Sequence, residues 1–290
     1  MTPSTAMPPS AASQYRLPEM LQDIRLLDLL ELCGSTVQTG QLMNLSQPTV
    51  SRRYRSLAAD FGLARKRRTG DGCAYGTSAC IQMLRLGCRV HRLAAGVARL
   101  GSDMLHHPLL AGTPWLLPTP PRFRAAANWL EMVRQGVLDG ALISGLELEG
   151  TNGLDRRELE LVPLGELPLA LAFPPLTSAL EGDDPEVLLP DENLAPGLWR
   201  TLRSLGLTLR SGGNSLQTPT DWIRRIRGSS LAFVVSDRES ESWATLRRRP
   251  LPAQPGSSVW LALPADWQEH PVLHHTAREL SRNGGLPPRG

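Results

Sequence analysis

Apolar residues recur at helical spacing within residues 46–61, and this pattern predicts an amphipathic helix. The apolar positions follow one another at steps of 4, 3 and 4 residues, which places them on one face of a helix with 3.6 residues per turn. They are Val50, Tyr54, Leu57 and Phe61. Ser46 is a favourable N-cap, and Pro48 would lie in the first turn, where its missing N–H breaks no intrahelical bond.

The opposite face of this predicted helix is polar and basic. Its members are Ser46, Gln47, Pro48, Thr49, Ser51, Arg52, Arg53 and Arg55. Short hydrogen-bonding side chains in the first turn, followed by arginines, suit contacts with base edges and phosphates. The face therefore favours a DNA recognition helix, and an ordinary surface helix with a solvated basic face is the alternative.

Two shorter helices are predicted upstream, over residues 23–33 and 37–43. Gly34 and Ser35 lie between them, where a C-cap and a new N-cap would fall. Leu42 and Leu45 are expected to close a small core against the apolar face of the third helix. Helix, short helix, turn and basic helix in this order are typical of a helix-turn-helix unit.

A longer helix is predicted over residues 78–104, because apolar residues alternate there at steps of 3 and 4. They are Met83, Leu86, Val90, Leu93, Val97, Leu100 and Met104. This spacing is the seam of a coiled coil, so we expect it to be the dimerisation element. Arginines on its flanks indicate an exposed rod: Arg85, Arg89, Arg92 and Arg99. Packing of the seam on the chain's own second domain is the alternative.

Short apolar runs alternate with helical segments from about residue 114 onwards. Strands are predicted over 115–119, 141–144, 159–164, 167–173, 207–210, 231–235 and 258–263. Helices are predicted over 123–135, 195–204, 218–226 and 267–281. The fold class is therefore α/β, with mainly parallel sheets and right-handed crossovers behind an all-α N-terminal domain.

A ligand on such sheets binds beyond the carboxyl ends of the strands. The turns at these ends supply Thr119, Ser144, Gly145, Gly212, Gly213, Asn214 and Ser215. Hydroxyls and backbone amides can bind an anion without a buried counter-charge, so a small organic acid is the predicted class of effector. A plain loop role for each residue is the alternative.

Charge is distributed unevenly over the 290 residues, although the net charge is only +3. Residues 52–99 contain eleven Lys or Arg against two acidic residues, whereas residues 105–290 contain 18 basic and 21 acidic residues. A basic block attached to a mildly acidic body is typical of a nucleic-acid-binding domain. Its densest part is Arg65, Lys66, Arg67 and Arg68. A turn follows at residues 69–72, which favours a wing that lies along phosphates over a solvated charged loop.

Several other classes of protein are disfavoured. The four cysteines lack paired zinc spacing, no catalytic or nucleotide-binding motif is present, and we predict neither a metal nor a cofactor. An enzyme on an α/β binding fold is the alternative from a different class. Residues 1–18 are expected to form a flexible tail without the features of a signal peptide, and no apolar run is long enough to cross a bilayer. A cytoplasmic protein is therefore expected.

The segment 34–52 resembles the DNA-binding region of LysR-type transcriptional regulators, through Gly34-Ser35, Leu42 and Leu45-Ser46-Gln47-Pro48-Thr49-Val50-Ser51-Arg52. The resemblance implies a winged helix-turn-helix in which Gln47, Pro48, Thr49, Ser51 and Arg52 face DNA. It also implies that the long linker helix forms a homodimer. Three positions depart from the family's usual residues: Thr36, Thr39-Gly40 and Arg65-Lys66.

The second half is similar to the periplasmic-binding-protein-like effector domain of the same family. Residues 136–143 resemble its Gly-x-Leu-Asp strand entry, and residues 164–169 its crossing strand. Between Trp115 and Gly136 there is room for one strand and one helix, fewer than the family has, so the first lobe is expected to be shortened. The expected domains are 19–77, 78–106 and 107–290. Expected partners are double-stranded DNA, one or more copies of this chain (homodimer or tetramer) and an organic acid, and a ligand-independent or protein-regulated factor is the alternative.

Overall fold

The computed structural model shows a group of N-terminal helices followed by a mixed α/β body. It describes residues 11–64, 73–149, 157–174, 185–213, 219–227, 229–236, 246–251 and 255–283. Within these ranges, no helix has the length and hydropathy needed to cross a membrane.

Four helices form the N-terminal part. They are α1 (Ala11–Gln14), α2 (Gln22–Cys33), α3 (Thr36–Met43) and α4 (Gln47–Asp60). The predicted boundaries are confirmed by the caps. Gly34 ends α2 with φ at 62°, Ser35 accepts a hydrogen bond from Gln38 N, and Ser46 accepts one from Thr49 N. Local capping chemistry therefore determines where these helices begin and end.

The turn between α3 and α4 depends on Gly40. Asn44 is left-handed, with φ at 54°, and Leu45 N donates to Gly40 O at 2.8 Å. A Cβ on Gly40 would lie 2.5 Å from the carbonyl oxygen of Leu45. The glycine lowers helix propensity, but it permits this close approach, which no other residue would allow without a shift of the backbone.

The predicted apolar face of α4 points inward. Val50 and Leu57 are buried, and Tyr54 and Phe61 pack against the same cluster. The expectation for Leu42 was wrong, because its side chain is 46% exposed. It lies on the outer side of α3, and Thr39 and Gly40 form the buried side.

Helix α5 (Ala79–Ala94) is ten residues shorter at its C-terminus than the predicted helix over 78–104. Gly96 has φ at 75°, and Val97 N donates back to Arg92 O at 3.0 Å. A left-handed glycine just after the last turn is a common helix stop. The chain then enters the sheet, so the prediction of one continuous rod was wrong.

The α/β body contains eight described strands and five further helices. The strands are β1 (Leu100–Gly101), β2 (Gly140–Ser144), β3 (Leu159–Phe173), β4 (Val187–Leu189), β5 (Leu209–Ser211), β6 (Ala232–Ser236), β7 (Arg247–Pro250) and β8 (Gly256–Pro264). The helices are α6 (Ala126–Arg134), α7 (Gly145–Glu149), α8 (Pro196–Ser204), α9 (Pro219–Ile226) and α10 (Pro271–Asn283). Short 3-10 helices lie at Glu19–Leu21, His107–Leu109 and Ala265–Trp267.

Strand β3 joins two lobes. The strand order is β1-β2-β8-β3-β6-β4-β5, and β7 also pairs with β3. The first part of β3 pairs with β8, and its last part pairs with β6 and β7. We call β1, β2, β8 and the first part of β3 the first lobe, and the remaining strands the second lobe. Two separate strands were predicted here, but a bulge between Pro163 and Gly165 lets one strand continue.

The sheet is mixed, so the expectation of mainly parallel strands was wrong. Only β1–β2, β4–β5 and β4–β6 are parallel among the described pairs, and every pair made by β3 or β8 is antiparallel. These two strands lie in the middle of the strand order and set its direction.

The first lobe begins earlier than predicted. The segment 115–119 makes only an isolated bridge, Ala98↔Leu116, and β1 comes from the residues that were assigned to the linker helix. Between β1 and α6 the chain forms no helix longer than His107–Leu109. A strand therefore lies before the segment 115–136, and the connection from β1 to α6 contains only this one short helix.

Candidate nucleic-acid interface, helix α5 and the interlobe cleft

The first turn of α4 presents the predicted polar face to solvent. Ser46, Gln47 and Pro48 are exposed, and Thr49 and Ser51 are partly exposed. Arg52 and Arg55 are exposed one turn further on, and the side chain of Arg52 has no hydrogen bond or ion pair with another described residue. The helix therefore offers hydrogen-bonding groups and a free guanidinium on the side that faces away from its core.

Two of the predicted DNA-binding residues bond to other helices of the chain. Arg53 is ion-paired with Asp23 of α2, with Nε at 2.9 Å from the carboxylate. Gln47 donates weakly to Thr36 at 3.2 Å, an exposed contact that a base edge can replace. Arg53 thus helps to hold α4 on α2, and Gln47 stays available. Arg65, Lys66, Arg67 and Arg68 of the predicted wing lie outside the described residues.

Helix α5 buries its arginines and exposes uncharged residues, most of them apolar. Arg85, Arg89 and Arg92 are buried, with at most 4% of each exposed. Every exposed residue of α5 is uncharged. We call the following set the α5 strip: Ala79, Cys80, Met83, Leu86, Gly87, Val90 and Ala94. The expectation of arginine flanks on an exposed rod was therefore wrong, because carboxylates from elsewhere in the chain draw the arginines inward.

The predicted seam divides into two parts. Met83, Leu86 and Val90 belong to the α5 strip and are 70%, 40% and 45% exposed. The other four residues are buried within the chain itself, and they are Leu93, Val97, Leu100 and Met104. The prediction that these four lie between subunits was wrong. Leu93 packs in the core of the body, and α5 ends at Ala94, so the spacing beyond it belongs to a strand and a turn.

Asp28 of α2 binds two of the arginines. Its carboxylate accepts from Arg85 Nε at 2.8 Å and from Arg99 Nη1 at 3.1 Å, and all three side chains are buried. Burying a charge is costly unless it is paired, so these bonds hold α2 against α5.

Asp139, which precedes β2, is the second buried carboxylate that binds these arginines. Arg92 donates to it through Nε at 2.8 Å and Nη2 at 2.6 Å, the backbone N–H of Arg99 donates at 2.8 Å, and Arg89 Nε lies 3.4 Å away. Burial on its own would raise the pKa of Asp139, but the guanidinium of Arg92 and then that of Arg89 hold it below its usual value of 3.8. The stability this carboxylate contributes is therefore present at neutral pH and is lost as pH falls through the lowered pKa.

The four arginines exceed the two aspartates in charge, and backbone carbonyls supply further acceptors. Arg85 Nη2 and Arg89 Nε have no hydrogen-bond partner among the described residues. Arg89 Nη2 donates to Val133 O at 2.6 Å and to Leu138 O at 2.7 Å, and Arg99 donates to Val137 O at 3.4 Å. These carbonyls lie at and just beyond the C-terminus of α6, where the helix dipole favours cations. We call Asp28, Asp139 and the four arginines the junction network.

Further contacts join the N-terminal helices to the body. Arg122 donates to the carbonyl of Cys33, and Arg124 donates to the carbonyls of Glu31 and Leu32, each at 2.6 Å. These carbonyls form the C-terminal end of α2, so both arginines also complement its dipole. Glu31 accepts from the N–H groups of Ala74 and Tyr75 at 2.8 and 2.7 Å, which ties the segment after the predicted wing to α2.

Three of the four cysteines fill space in this region. Cys33, Cys73 and Cys88 are buried, and burial raises the pKa of Cys73 to about 12 and that of Cys88 to about 11. Thiols with such values are poor nucleophiles at neutral pH, in keeping with a packing role. Cys80 is exposed on the α5 strip.

The residues predicted to bind an effector do not form one site. Ser144 and Gly145 follow β2, whereas Gly212 and Gly213 follow β5, and four strands lie between β2 and β5. Thr119 is buried and bonds to Leu117 O, and Asn214 and Ser215 lie outside the described residues. The two lobes separate these loops, which the prediction had placed around one cleft.

Ser144 instead belongs to a buried polar chain that runs from β2 through β8 to the turn after β1. Its hydroxyl lies 2.6 Å from that of Ser257, which lies 3.5 Å from His106 Nε2, and His106 Nδ1 lies 2.8 Å from Asp103. His106 is fully buried. The hydroxyl of Ser144 is therefore bonded to groups of the chain itself. A groove of about 410 Å³ lies elsewhere, lined in part by Arg278 and Arg282 of α10.

No protein-family model matches the chain, and no curated protein matches its sequence. Among solved structures it is similar to HinK, a LysR family transcriptional regulator from Pseudomonas aeruginosa, with 16% identity and a TM-score of 0.45 over 90% of this chain and 97% of that one. It is also similar to CbnR, a LysR family transcriptional regulator, with 14% identity and a TM-score of 0.46 over 90% and 98% of the two chains. For full-length CbnR complexed with its target DNA, the identity is 12% and the TM-score is 0.48, over 91% of this chain and 99% of that one. These solved proteins are LysR-family transcriptional regulators, the family that residues 34–52 of this chain resemble.

Proposed function

We propose that the protein is a sequence-specific DNA-binding transcriptional regulator that acts as a dimer and inserts α4 into the major groove. The observation that carries the proposal is the exposed first turn of α4, with Gln47 available and Arg52 unpaired among the described residues. The inner face of the same helix is buried, so the polar face has a fixed direction. A helix held in this way can present its N-terminal side chains to base edges.

The N-terminal helices would form a DNA-binding domain of the winged helix-turn-helix type. In this proposal α3 and α4 form the helix-turn-helix pair, and Arg65, Lys66, Arg67 and Arg68 would bind phosphates. Arg53 would support the helix through Asp23, and Arg52 and Arg55 would contact DNA. The α/β body, from β1 onwards, would be a periplasmic-binding-protein-like effector domain that regulates the DNA-binding domain.

The α5 strip would form the contact between two copies. Its exposed residues are uncharged over 16 residues, in a chain of which 20% is charged. At 1.5 Å per residue the strip is about 24 Å long, and Gly87 in its middle leaves room for a close approach of a second helix. Two copies joined there would present two α4 helices to one DNA duplex, and paired half-sites are how such modules gain affinity.

A comparison of two substitutions tests whether α4 reads bases while residues 65–68 bind phosphates. Gln47→Ala should cost about 1–3 kcal/mol on the preferred sequence, mainly at one base position, because it removes a base contact. Arg67→Ala should weaken binding to every sequence and lower the slope of log K against log salt by about one, because it removes one phosphate contact. Fluorescence anisotropy with matched and scrambled duplexes over a range of salt concentrations measures both effects.

The control for charge is Arg282→Ala, which removes the same charge from α10. It should leave both the affinity and the salt slope unchanged. Equal losses on specific and scrambled DNA for Gln47→Ala and Arg67→Ala would contradict the proposal that α4 reads bases and residues 65–68 bind phosphates.

A further inference from the structure

Helix α8 begins without a capping side chain of its own. Its N-cap is Ala195, which makes no side-chain cap bond, and the helix opens with Pro196 and Gly197. The free N–H groups of a first helical turn need acceptors when they are buried, and the partial positive charge of the helix dipole favours an anion there. Gly197 is buried, so water does not meet this need.

The acceptor comes from the other lobe. Glu147 of α7 binds the first turn of α8 with both oxygens, Oε2 accepting from Gly197 N at 3.0 Å and Oε1 from Leu198 N at 2.9 Å. The residue is only 8% exposed. Burial raises the pKa of Glu147, and the two N–H groups oppose that rise. A carboxylate therefore occupies the position in which a helix N-terminus binds anions.

Two glycines allow the backbones to meet around this contact. A Cβ on Gly197 would lie 2.0 Å from Leu146 O, and a Cβ on Gly145 would lie 1.7 Å from Ser258 Oγ. Neither space can hold an added carbon without movement of the neighbouring atoms. Helix α7 is thus held in contact with α8 on one side and with β8 on the other.

The turn after β1 joins the two lobes at a second place. Met104 and Leu105 belong to the hydrophobic cluster of the second lobe, together with Trp199 and Phe233, and they are 3% and 4% exposed. Asp103 accepts from the N–H groups of Leu105 and His106 at 2.8 and 2.9 Å, which fixes the shape of the turn. The first lobe therefore inserts apolar side chains into the core of the second.

We infer that Glu147 is a built-in ligand between the two lobes: its carboxylate fills the anion position at the N-terminus of α8 and holds the two lobes closed. The domain then closes without a small organic acid. A soluble carboxylate can take this position only if Glu147 leaves it. The inference concerns the α/β body alone and goes beyond the proposed DNA binding, because each can fail without the other.

Chemical rescue of a Glu147→Ala variant of the full chain tests the inference. The substitution empties the anion position, so Tm should fall by about 4–8 °C. Sodium formate or acetate at 0.5 M should then restore about 2–4 °C relative to sodium chloride, because an anion that binds only the folded state stabilises it. The same salts should give no such difference in the wild type or in Glu160→Ala, which removes an exposed carboxylate from β3.

A Glu147→Ala variant as stable as the wild type would overturn the inference. So would an equal formate effect in all three proteins, which would place the anion elsewhere, for example in the groove lined by Arg278 and Arg282. If the alanine variant does not fold, Glu147→Gln replaces it and hydrogen exchange is the readout. Exchange should then accelerate in the first turn of α8 and not in α10, and unchanged protection of α8 would overturn the inference.

Discussion

Replacing Asp139 with alanine is expected to lower the free energy of unfolding by about 3–5 kcal/mol, the usual cost of removing one partner of a buried ion pair. Asp139 is fully buried and binds Arg92 through two hydrogen bonds. Without it, Arg92 and Arg89 keep their charges but lose the carboxylate that compensates them. Repulsion among the four arginines would then be opposed by Asp28 alone within the junction network.

Urea unfolding followed by tryptophan fluorescence measures this loss, and Asp23→Ala is the matched control. Asp23 also pairs with an arginine, Arg53, but the two side chains are 48% and 37% exposed. An exposed pair contributes at most about 1 kcal/mol. Losses of similar size in the two variants would contradict the view that the junction network stabilises the fold through buried charge.

Placing glutamates on the α5 strip is expected to dissociate the dimer. In Met83→Glu combined with Val90→Glu, each subunit would bury two new charges against an apolar partner surface. Each buried charge costs several kcal/mol unless the contact opens, so the dimer dissociation constant should rise at least about 100-fold. Sedimentation velocity over a range of concentrations measures the change, and circular dichroism checks that the fold is kept.

The two positions are chosen because the single chain leaves them exposed. Leu93, although it continues the heptad spacing, is buried in the body, so a charge there would unfold the protein and would not test dimerisation. Val37→Glu is the control, since Val37 is 54% exposed on α3 and lies off the strip. An unchanged dimer in the double variant would show that subunits meet elsewhere.

The helices α2, α3 and α4 could be predicted from sequence because their signals are local. Gly34, Ser35, Ser46 and Pro48 determine the ends within a few residues of where they act. The end of α5 was missed because apolar residues continue at heptad spacing to Met104. Gly96 was the available signal, and it outweighs spacing because a left-handed glycine redirects the backbone.

The inward direction of the α5 arginines could not be read from their own segment. They are buried because Asp28, Asp139 and backbone carbonyls meet them there, and Asp139 lies 47 residues from Arg92 along the chain. The cap on α8 was missed for a similar reason, since Glu147 is 50 residues from Gly197. A helix that starts Ala-Pro-Gly, with no capping side chain of its own, was the signal that an acceptor must come from elsewhere.

Selection of bound duplexes from a random pool, followed by footprinting of the selected duplexes, tests most directly whether α4 reads DNA in a dimer. If α4 reads DNA in a dimer, the selected sites should contain two half-sites in inverted repeat whose centres lie about 10.5 base pairs, or a multiple of that, apart. Gln47→Ala should relax one position in each half-site, and the Met83→Glu, Val90→Glu variant should lose the pairing of the two. Enrichment of a single unpaired site, or no enrichment above random DNA, would contradict the account.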